Sequence, residues 1–302
     1  MMNRSRVGWL IPLALGLGAW GLARWWLGSR KSIFRNKVVL ITGASRGIGR
    51  ALAHAFAGRR SHLVLASRNE QQLQVVASEC RAVRQGTQVL IVPTDVTDEQ
   101  QLASLVNRAI EHFGRIDVVV NNAGIIQGGS LADTTPDMLK RHLEVNVLSA
   151  VRLTQLVLPI MHRQRSGYIV NIASASGRHT MPYFIAYGIS KHAMVGFSEG
   201  VRRELAGTGI RVLTVNPGYT DTQMVSRVGV VYRRLGFTMI PPQRVARRTL
   251  EAMALGLPEV NIGWLETIGQ YASVLAPRLA DLFWQLFMPP DFPELASQQR
   301  TE

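Results

Sequence analysis

The chain has almost no cysteine. Cys80 stands alone among 302 residues, which excludes an internal disulfide framework and any cysteine-built metal site. A reducing compartment is therefore permitted. Cys80 lies in a helical pattern with Val76 and Val83, so it reads as a core or semi-exposed thiol and not as a nucleophile. Acidic residues are few as well, 20 against 34 basic ones, giving a net charge of +14. Such an excess attracts polyanions where it is clustered. Here the basic residues are scattered, apart from short groups such as Arg30 to Lys37 and Arg244 to Arg248. Without an aromatic-interleaved basic motif, nucleic acid is not an expected partner. Charged residues make up 18% of the chain and hydrophobic ones 47%, which leaves little room for extended disorder and fits one large α/β domain. No solenoid repeat is visible.

Charge is missing altogether from Val7 to Ala23, and beyond Arg24 the apolar character resumes with Trp25, Trp26 and Leu27. As a helix this stretch covers roughly 30 Å, the thickness of a bilayer core, with Arg24 snorkelling and the paired tryptophans at the interface. Residues 1–30 are therefore predicted to be a single-pass membrane anchor. Arg24, Arg30, Lys31, Arg35 and Lys37 outnumber Arg4 and Arg6, which puts the main domain on the cytoplasmic side. Two other readings stay open. One is a cleaved signal peptide, for which Gly21-Leu22-Ala23 offers small residues; the other is a buried or peripheral helix.

From Val38 onward, short β-branched runs alternate with helical patterns, as parallel βα units do. Strands are predicted at Val38 to Ile41, Leu63 to Ala66, Val89 to Val92, Val118 to Val120, Tyr168 to Ile172 and Arg211 to Val215, with a weaker one at Val260 to Ile262. Helical segments at Gly49 to Ala57, Gln71 to Arg84, Glu99 to Phe113 and Met138 to Met161 separate them. This order predicts an α/β fold over residues 31–260: a Rossmann-type doubly wound parallel sheet of about seven strands with helices on both faces. Residues 261–302 read as an amphipathic helical extension. Ile268, Leu275, Leu279, Leu282 and Phe283 recur there at helical intervals, and Pro277 opens a second helix. The stripe has three readings: cover for the core, a homodimer face, or a helix in the membrane interface. The chain from Asp291 on looks frayed and polar.

Ligands of such sheets bind beyond the carboxyl ends of the strands, and the unusual residues fall there. The first strand runs into Thr42-Gly43-Ala44-Ser45-Arg46-Gly47-Ile48-Gly49 ahead of an apolar helix. Glycines permit the tight turn, let backbone N–H groups approach a pyrophosphate and bring the positive helix end to the anion. The spacing is Gly-x3-Gly-x-Gly, unlike the Gly-x-Gly-x2-Gly of the general dinucleotide fingerprint. Farther on, Tyr187 and Lys191 sit one helical turn apart on a shared face. With four lysines and six tyrosines in the chain, a chance Tyr-x3-Lys is expected only ~0.08 times. A free phenol titrates near ~10, and a nearby lysine cation favours its ionised form.

These features resemble the short-chain dehydrogenase/reductase family, from about Lys37 to Met253, and within it anchored members acting on hydroxysteroids, retinol or keto-lipids. The resemblance implies that Thr42, Gly43, Ser45, Arg46, Gly47, Ile48 and Gly49 form the cofactor loop. It implies that Asp95 and Val96 meet the adenine, that Asn122, Ala123 and Gly124 line the cofactor, and that Pro217, Gly218 and Thr222 cradle the nicotinamide. Ser174 matches the serine that polarises the substrate oxygen, and Asn146 the residue that positions a water linking the lysine to bulk solvent. Asn146, Ser174, Tyr187 and Lys191 are then a proton relay, with Tyr187 and Lys191 also touching the cofactor. NAD-preferring members carry an aspartate after the second strand, whereas this chain reads Leu65-Ala66-Ser67-Arg68. Ser67, Arg68 and Arg46 instead offer charge-assisted hydrogen bonds to a 2′-phosphate, so NADP(H) is the expected cofactor.

No metal is required where tyrosine and serine do the polarising. His179 reads as a residue flanking the pocket, without an acid/base role. Met224, Val225, Val231 and Met239 fall in the family's variable lid between Thr222 and Pro241; such a lid either packs on its own core or faces a lipophilic small-molecule substrate, and on the second reading a steroid, retinoid or long-chain keto-lipid, exchanged between carbonyl and secondary alcohol, is expected. Two alternatives remain, an NAD-dependent alcohol dehydrogenase of the same fold and a catalytically idle nucleotide-binding scaffold.

Overall fold

Runs of valine, isoleucine and leucine too short for helices form the strands, and nearly all their side chains are buried. The computed structural model describes residues 33–226, 228–234 and 238–299; the predicted anchor lies outside the described residues. The order is β1 (Val38–Thr42), α1 (Gly47–Ala57), β2 (His62–Ser67), α2 (Glu70–Val83), β3 (Val89–Pro93), α3 (Glu99–Phe113) and β4 (Val118–Asn121). After two more helices come β5 (Gly167–Ile172), α6 (Ile185–Glu204), β6 (Ile210–Pro217), α7 (Val228–Arg234), α8 (Pro242–Leu255) and β7 (Glu259–Ile262). All neighbouring strands run parallel, in the order β3-β2-β1-β4-β5-β6-β7. The seven-stranded doubly wound sheet expected from the sequence is the one observed, and its order reverses between β1 and β4.

Alternation along each strand feeds two core layers. Val39 and Ile41 face the layer containing Phe56 and Leu250, while Val38 and Leu40 face the one containing Leu105 and Leu153. At the lower edge of the sheet Asp117 accepts hydrogen bonds from the Val38 N–H (3.0 Å) and from Lys37 Nζ (2.9 Å). Across the upper edge Asn121 Nδ2 donates to Asn171 Oδ1 (2.7 Å) and Asn171 Nδ2 to Ser198 Oγ (2.9 Å), stitching β4, β5 and α6 below the site.

The helix predicted over Met138 to Met161 is present and runs without a break through α4 (Pro136–Leu143), a π-helical turn at Glu144–Leu148 and α5 (Ser149–Gln164). The Ser149 N–H reaches back to the Glu144 carbonyl, which widens the turn. Hydrophobic periodicity barely registers such an insertion, so the pattern read as continuous. By length and composition Pro136–Gln164 is apolar enough to cross a membrane. Leu153, Val157 and Met161 are buried against the sheet, which accounts for that composition.

The C-terminal segment forms α9 (Trp264–Leu275), α10 (Pro277–Phe287) and α11 (Phe292–Ser297). Pro277 starts the second of these, as expected. Within the tail expected to fray from Asp291 onward, Phe292–Ser297 is instead a helix, with Phe292 and Ala296 buried. Gln299 holds its end, accepting from the Gly128 N–H (3.0 Å) and donating to the Met224 carbonyl (2.7 Å). Its few apolar residues all point inward, so a polar average concealed a docked element.

Candidate active site

The loop after β1 is built by backbone and glycine. Gly43 (φ +62°) and Gly47 (φ +56°) hold left-handed conformations that side chains resist. A Cβ on Gly49 would lie 2.2 Å from the Gly43 carbonyl oxygen. Thr42 Oγ1 accepts from the N–H groups of Asn122 (3.0 Å) and Ala123 (3.1 Å), and Asn122 Nδ2 donates to the carbonyls of Thr42 (2.9 Å) and Gly43 (3.1 Å). The turns after β1 and β4 are thereby clamped into one shelf at the switch point. Thr42 and Gly49 stand behind this shelf, while Gly43, Ser45, Arg46, Gly47 and Ile48 line the cleft above it. That cleft encloses about 2290 Å³.

The end of β2 carries Ser67, almost fully buried, with its hydroxyl lacking any hydrogen-bond partner. An orphaned buried hydroxyl costs about 1–3 kcal/mol unless something binds it. Arg68 lines the cleft beside it, and Arg46 Nη1 donates to Gln223 Oε1 (2.9 Å) across the glycine loop. Beyond β3, burial works against an ionised Asp95, but hydrogen bonds from the Thr97 N–H (2.9 Å) and hydroxyl (2.7 Å) outweigh it and hold the carboxyl below its usual range. Val96, Gly124, Pro217, Gly218 and Thr222 also line the cleft.

Tyr187 and Lys191 rise from the first turns of α6, both buried, with Lys191 Nζ 5.7 Å from the centre of the Tyr187 ring. Lys191 Nζ donates to the Ile172 carbonyl (3.0 Å) at the end of β5, and burial lowers its pKa to about 8. Ser174 follows that same strand. Its Oγ accepts from the Ser176 N–H (3.1 Å), which opens a short 3-10 turn, and it stands close enough to the Tyr187 phenol to lower its pKa. In the chain alone burial raises the Tyr187 pKa, and Ser174 offsets only part of the rise. Lys191 faces the ring without hydrogen-bonding its oxygen in any contact seen here, so in the chain alone its charge does not overcome desolvation.

Asn146 lies in the π-helical turn, outside the cleft wall. Its Oδ1 accepts from the Ile125 N–H (2.7 Å), and its Nδ2 donates to the Ile125 carbonyl (3.0 Å) and Ser190 Oγ (2.9 Å). Ser190 in turn donates to the Tyr187 carbonyl (2.7 Å). Sequence reasoning missed Ser190, although it stands inside the Tyr-x3-Lys motif one residue before Lys191. Also missed were Tyr219 and Tyr232, whose rings lie 3.5 Å apart and whose hydroxyls both reach the Met181 sulfur. Burial drives both phenols upward. Glu266, on α9, accepts from the Tyr219 N–H (3.0 Å) and joins the C-terminal helices to the Pro217–Gly218 corner. These residues come from distant parts of the chain and belong to no short motif. Cys80, by contrast, is fully buried, its thiol pushed to about 12 by burial, which removes it as a nucleophile.

The glycine shelf lies at the switch point of a parallel sheet, with Tyr187 and Lys191 buried and Ser174 half-buried beside it, the layout of a Rossmann-type dinucleotide fold. Residues 37–230 match the short chain dehydrogenase family, and the chain belongs to it. The protein is 34% identical over 285 residues to the dehydrogenase/reductase SDR family member 7B of Bos taurus, covering 89% of this chain and 87% of the relative. Among solved structures, an actinorhodin polyketide ketoreductase with NADPH superposes with a TM-score of 0.69 at 29% identity, covering 75% of this chain and 95% of that one. A 7α-hydroxysteroid dehydrogenase complexed with NADH and 7-oxo glycochenodeoxycholic acid gives 0.71 at 27% identity, covering 78% and 94%. Membership makes the chain an oxidoreductase that uses a nicotinamide cofactor on CH–OH or C=O groups.

Proposed function

We propose that the protein is an NADP(H)-dependent reductase of lipophilic carbonyl compounds, working through Ser174, Tyr187 and Lys191 with Asn146 as a positioning residue. The observation that carries the reading is the buried Tyr187 phenol, with Ser174 beside it and Lys191 facing its ring, between the glycine shelf and an apolar pocket. A nicotinamide dinucleotide fits the shelf on two counts: side chains at Gly43 and Gly49 would fill it, and Ser67 Oγ is an unused donor where an adenosine 2′-phosphate belongs. When bound, that cofactor supplies or accepts the hydride. Gly43, Ser45 and Gly47 would hold its phosphates, Ser67, Arg68 and Arg46 its 2′-phosphate, and Asp95 with Val96 its adenine. Asn122 to Gly124 would line it, and Pro217, Gly218 and Thr222 the nicotinamide end.

In the reductive direction the Ser174 hydroxyl holds the carbonyl oxygen and the Tyr187 Oη gives it a proton. Burial by itself works against that step, since a raised phenol pKa makes Oη a weaker acid, so the charge left on Oη must be stabilised from nearby. Lys191 Nζ, still largely a cation at pH 7 with its pKa near 8, stabilises charge on Oη as the proton leaves and holds the ribose. Asn146 and Ser190 fix the helix start that carries both residues and the path by which a water replenishes the proton.

The substrate end supports a lipophilic ligand. Ile125, Ile126, Met181, Met239, Trp264 and Phe283 line it, and α9 with α10 expose Val274, Leu275, Leu279 and Leu286 to between 66% and 81%. Exposed apolar faces of this kind mark interaction sites. With the uncharged run from Val7 to Ala23 acting as anchor, the domain works at a membrane surface on the cytoplasmic side; alkaline extraction of membranes bearing the full chain tests this, and release into the soluble fraction rejects it. The test of activity is to incubate the detergent-solubilised protein with NADPH or NADH and ketosteroids, retinal and long-chain 3-keto-lipids. Oxidation of NADPH by one class, lost by ~10²–10⁴ in Tyr187→Phe with cofactor binding intact, is the expected outcome. Turnover surviving in Tyr187→Phe overturns the mechanism, and equal use of NADH overturns the cofactor assignment.

A further inference from the structure

The C-terminal helices α9 and α10 form one wall of the substrate pocket, yet they bury little of themselves. Gln270 is the one buried residue of α9, and none of α10 is buried. A wall with so little apolar anchorage depends heavily on its few specific contacts. Most of these converge on His179. That residue ends the turn begun at Ser174, its N–H donating to the Ala175 carbonyl (3.2 Å), so it is fixed relative to the serine.

Both ring nitrogens of His179 are used. The Trp284 indole N–H on α10 donates to Nε2 (3.1 Å), and the two rings stack with centroids 5.9 Å apart at 18°. Nε2 accepts, so the ring hydrogen of the neutral imidazole is on Nδ1, which contacts Ser273 Oγ on α9. Ser273 spends its own hydrogen on the Gly269 carbonyl (2.8 Å) and is left to accept. Every donor in this chain meets an acceptor in one protonation state alone, the neutral one.

We infer that His179 is a positioning residue for substrate recognition: neutral, it latches α9 and α10 to the loop carrying Ser174 and so sets the length and shape of the apolar pocket over the reacting carbonyl. A proton on Nε2 sets two N–H groups against each other across the Trp284 contact and opens the latch.

The surrounding charges favour the neutral form. Burial lowers the His179 pKa, Asp281 on α10 pulls it up to a lesser extent, and His192 on α6 pushes it down. Neighbouring Arg178 is occupied by Glu199 (2.9 Å) and Glu259 (3.0 Å). The folded-state pKa is therefore depressed, so the stability contributed by the latch is full above the unfolded value of ~6.5 and is lost as pH falls through the lowered one.

The kinetic arm of the test depends on the reductase reading above; the exchange arm does not. Amide hydrogen exchange on the full chain with NADPH compares wild type, His179→Ala, His179→Gln and Trp284→Phe at pH 7.5, and wild type with His179→Gln at pH 5. Protection of residues 264–287 is expected to fall ~tenfold in His179→Ala while β1, β4 and β5 are unchanged, and to recover in His179→Gln, whose amide offers both a donor and an acceptor. Acid should loosen the same helices in wild type but not in His179→Gln. With substrate, His179→Ala raises KM for a long-chain ketone ~tenfold, while KM for cyclohexanone and the NADPH affinity stay within about twofold. Unchanged protection of α9 and α10 in His179→Ala overturns the latch. So does an equal rise in KM for both ketones, or acid loosening that persists in His179→Gln.

Discussion

At the cofactor end of the cleft, backbone atoms and short polar side chains set the dimensions: three glycines, the Thr42 hydroxyl and the Asn122 amide bind two loops into one shelf. At the substrate end one wall consists of apolar side chains on α9 and α10, which between them bury a single residue, Gln270. The first arrangement tolerates no added atom. The second is free to change side chains without losing the fold, which is why one scaffold serves many substrates. Tyr187 stands at the seam, and its loss is the largest effect expected anywhere in the molecule. Close behind comes Gly49→Ala. Its Cβ would press on the Gly43 carbonyl at 2.2 Å, so the variant should lose ~1–3 kcal/mol of stability and bind dinucleotide more than ~tenfold more weakly. Calorimetry and cofactor titration would read both, and unimpaired binding would mean that the shelf yields as readily as the substrate wall.

A smaller effect tests whether the polar end also selects its ligand. Ser67→Asp puts a carboxylate where a 2′-phosphate is proposed to lie, replacing an unpaired hydroxyl. Charge-assisted hydrogen bonds are worth ~1.5–3 kcal/mol, so the ratio of NADPH to NADH affinity should fall by ~10–100-fold. A ratio that stays constant would show that the neighbouring arginines, or nothing at this end, make the choice.

The same contrast governs what the sequence made legible. Gly43, Gly47, Gly49, Tyr187 and Lys191 were identifiable because their chemistry depends on local spacing: a turn needs glycine at fixed offsets, and a helix brings residues four apart onto one face; Ser67 was reached only through the family resemblance. The seven strands were readable for a similar reason, each being a short β-branched run between turn residues. Tyr219, Tyr232, Glu266 and Trp284 were not, because they meet Met181, Gly218 and His179 across tens of residues. The π-helical turn at Asn146 escaped notice since one extra residue hardly disturbs an apolar stripe, and α11 because its few apolar residues hide in a polar composition.

Lys191 links the two ends through pH. Burial lowers its pKa to about 8 from the ordinary ~10.4, so the cation, present at neutrality, is lost as pH rises through about 8. With that cation assisting Tyr187, kcat/KM should decline along an alkaline limb near 8. A limb only above ~10 would mean that the lysine is better solvated, or better paired with bound cofactor, than in the chain alone.

The smallest effect separates the apolar wall from the apolar core. Leu275 on α9 is 81% exposed, and Leu40 in β1 is fully buried. Truncating Leu40 to Ala removes packed atoms and leaves a cavity, at a cost of ~2–5 kcal/mol. Leu275→Ser removes an exposed side chain and should change stability by no more than ~0.5 kcal/mol, as surface substitutions do. Denaturant midpoints in detergent would measure both, and a destabilisation of Leu275→Ser approaching that of Leu40→Ala would mean that this face is covered within the folded protein, by a second copy or by its own chain. An unchanged midpoint, with weaker association of the same variant with lipid vesicles, would instead place its apolar partner outside the protein.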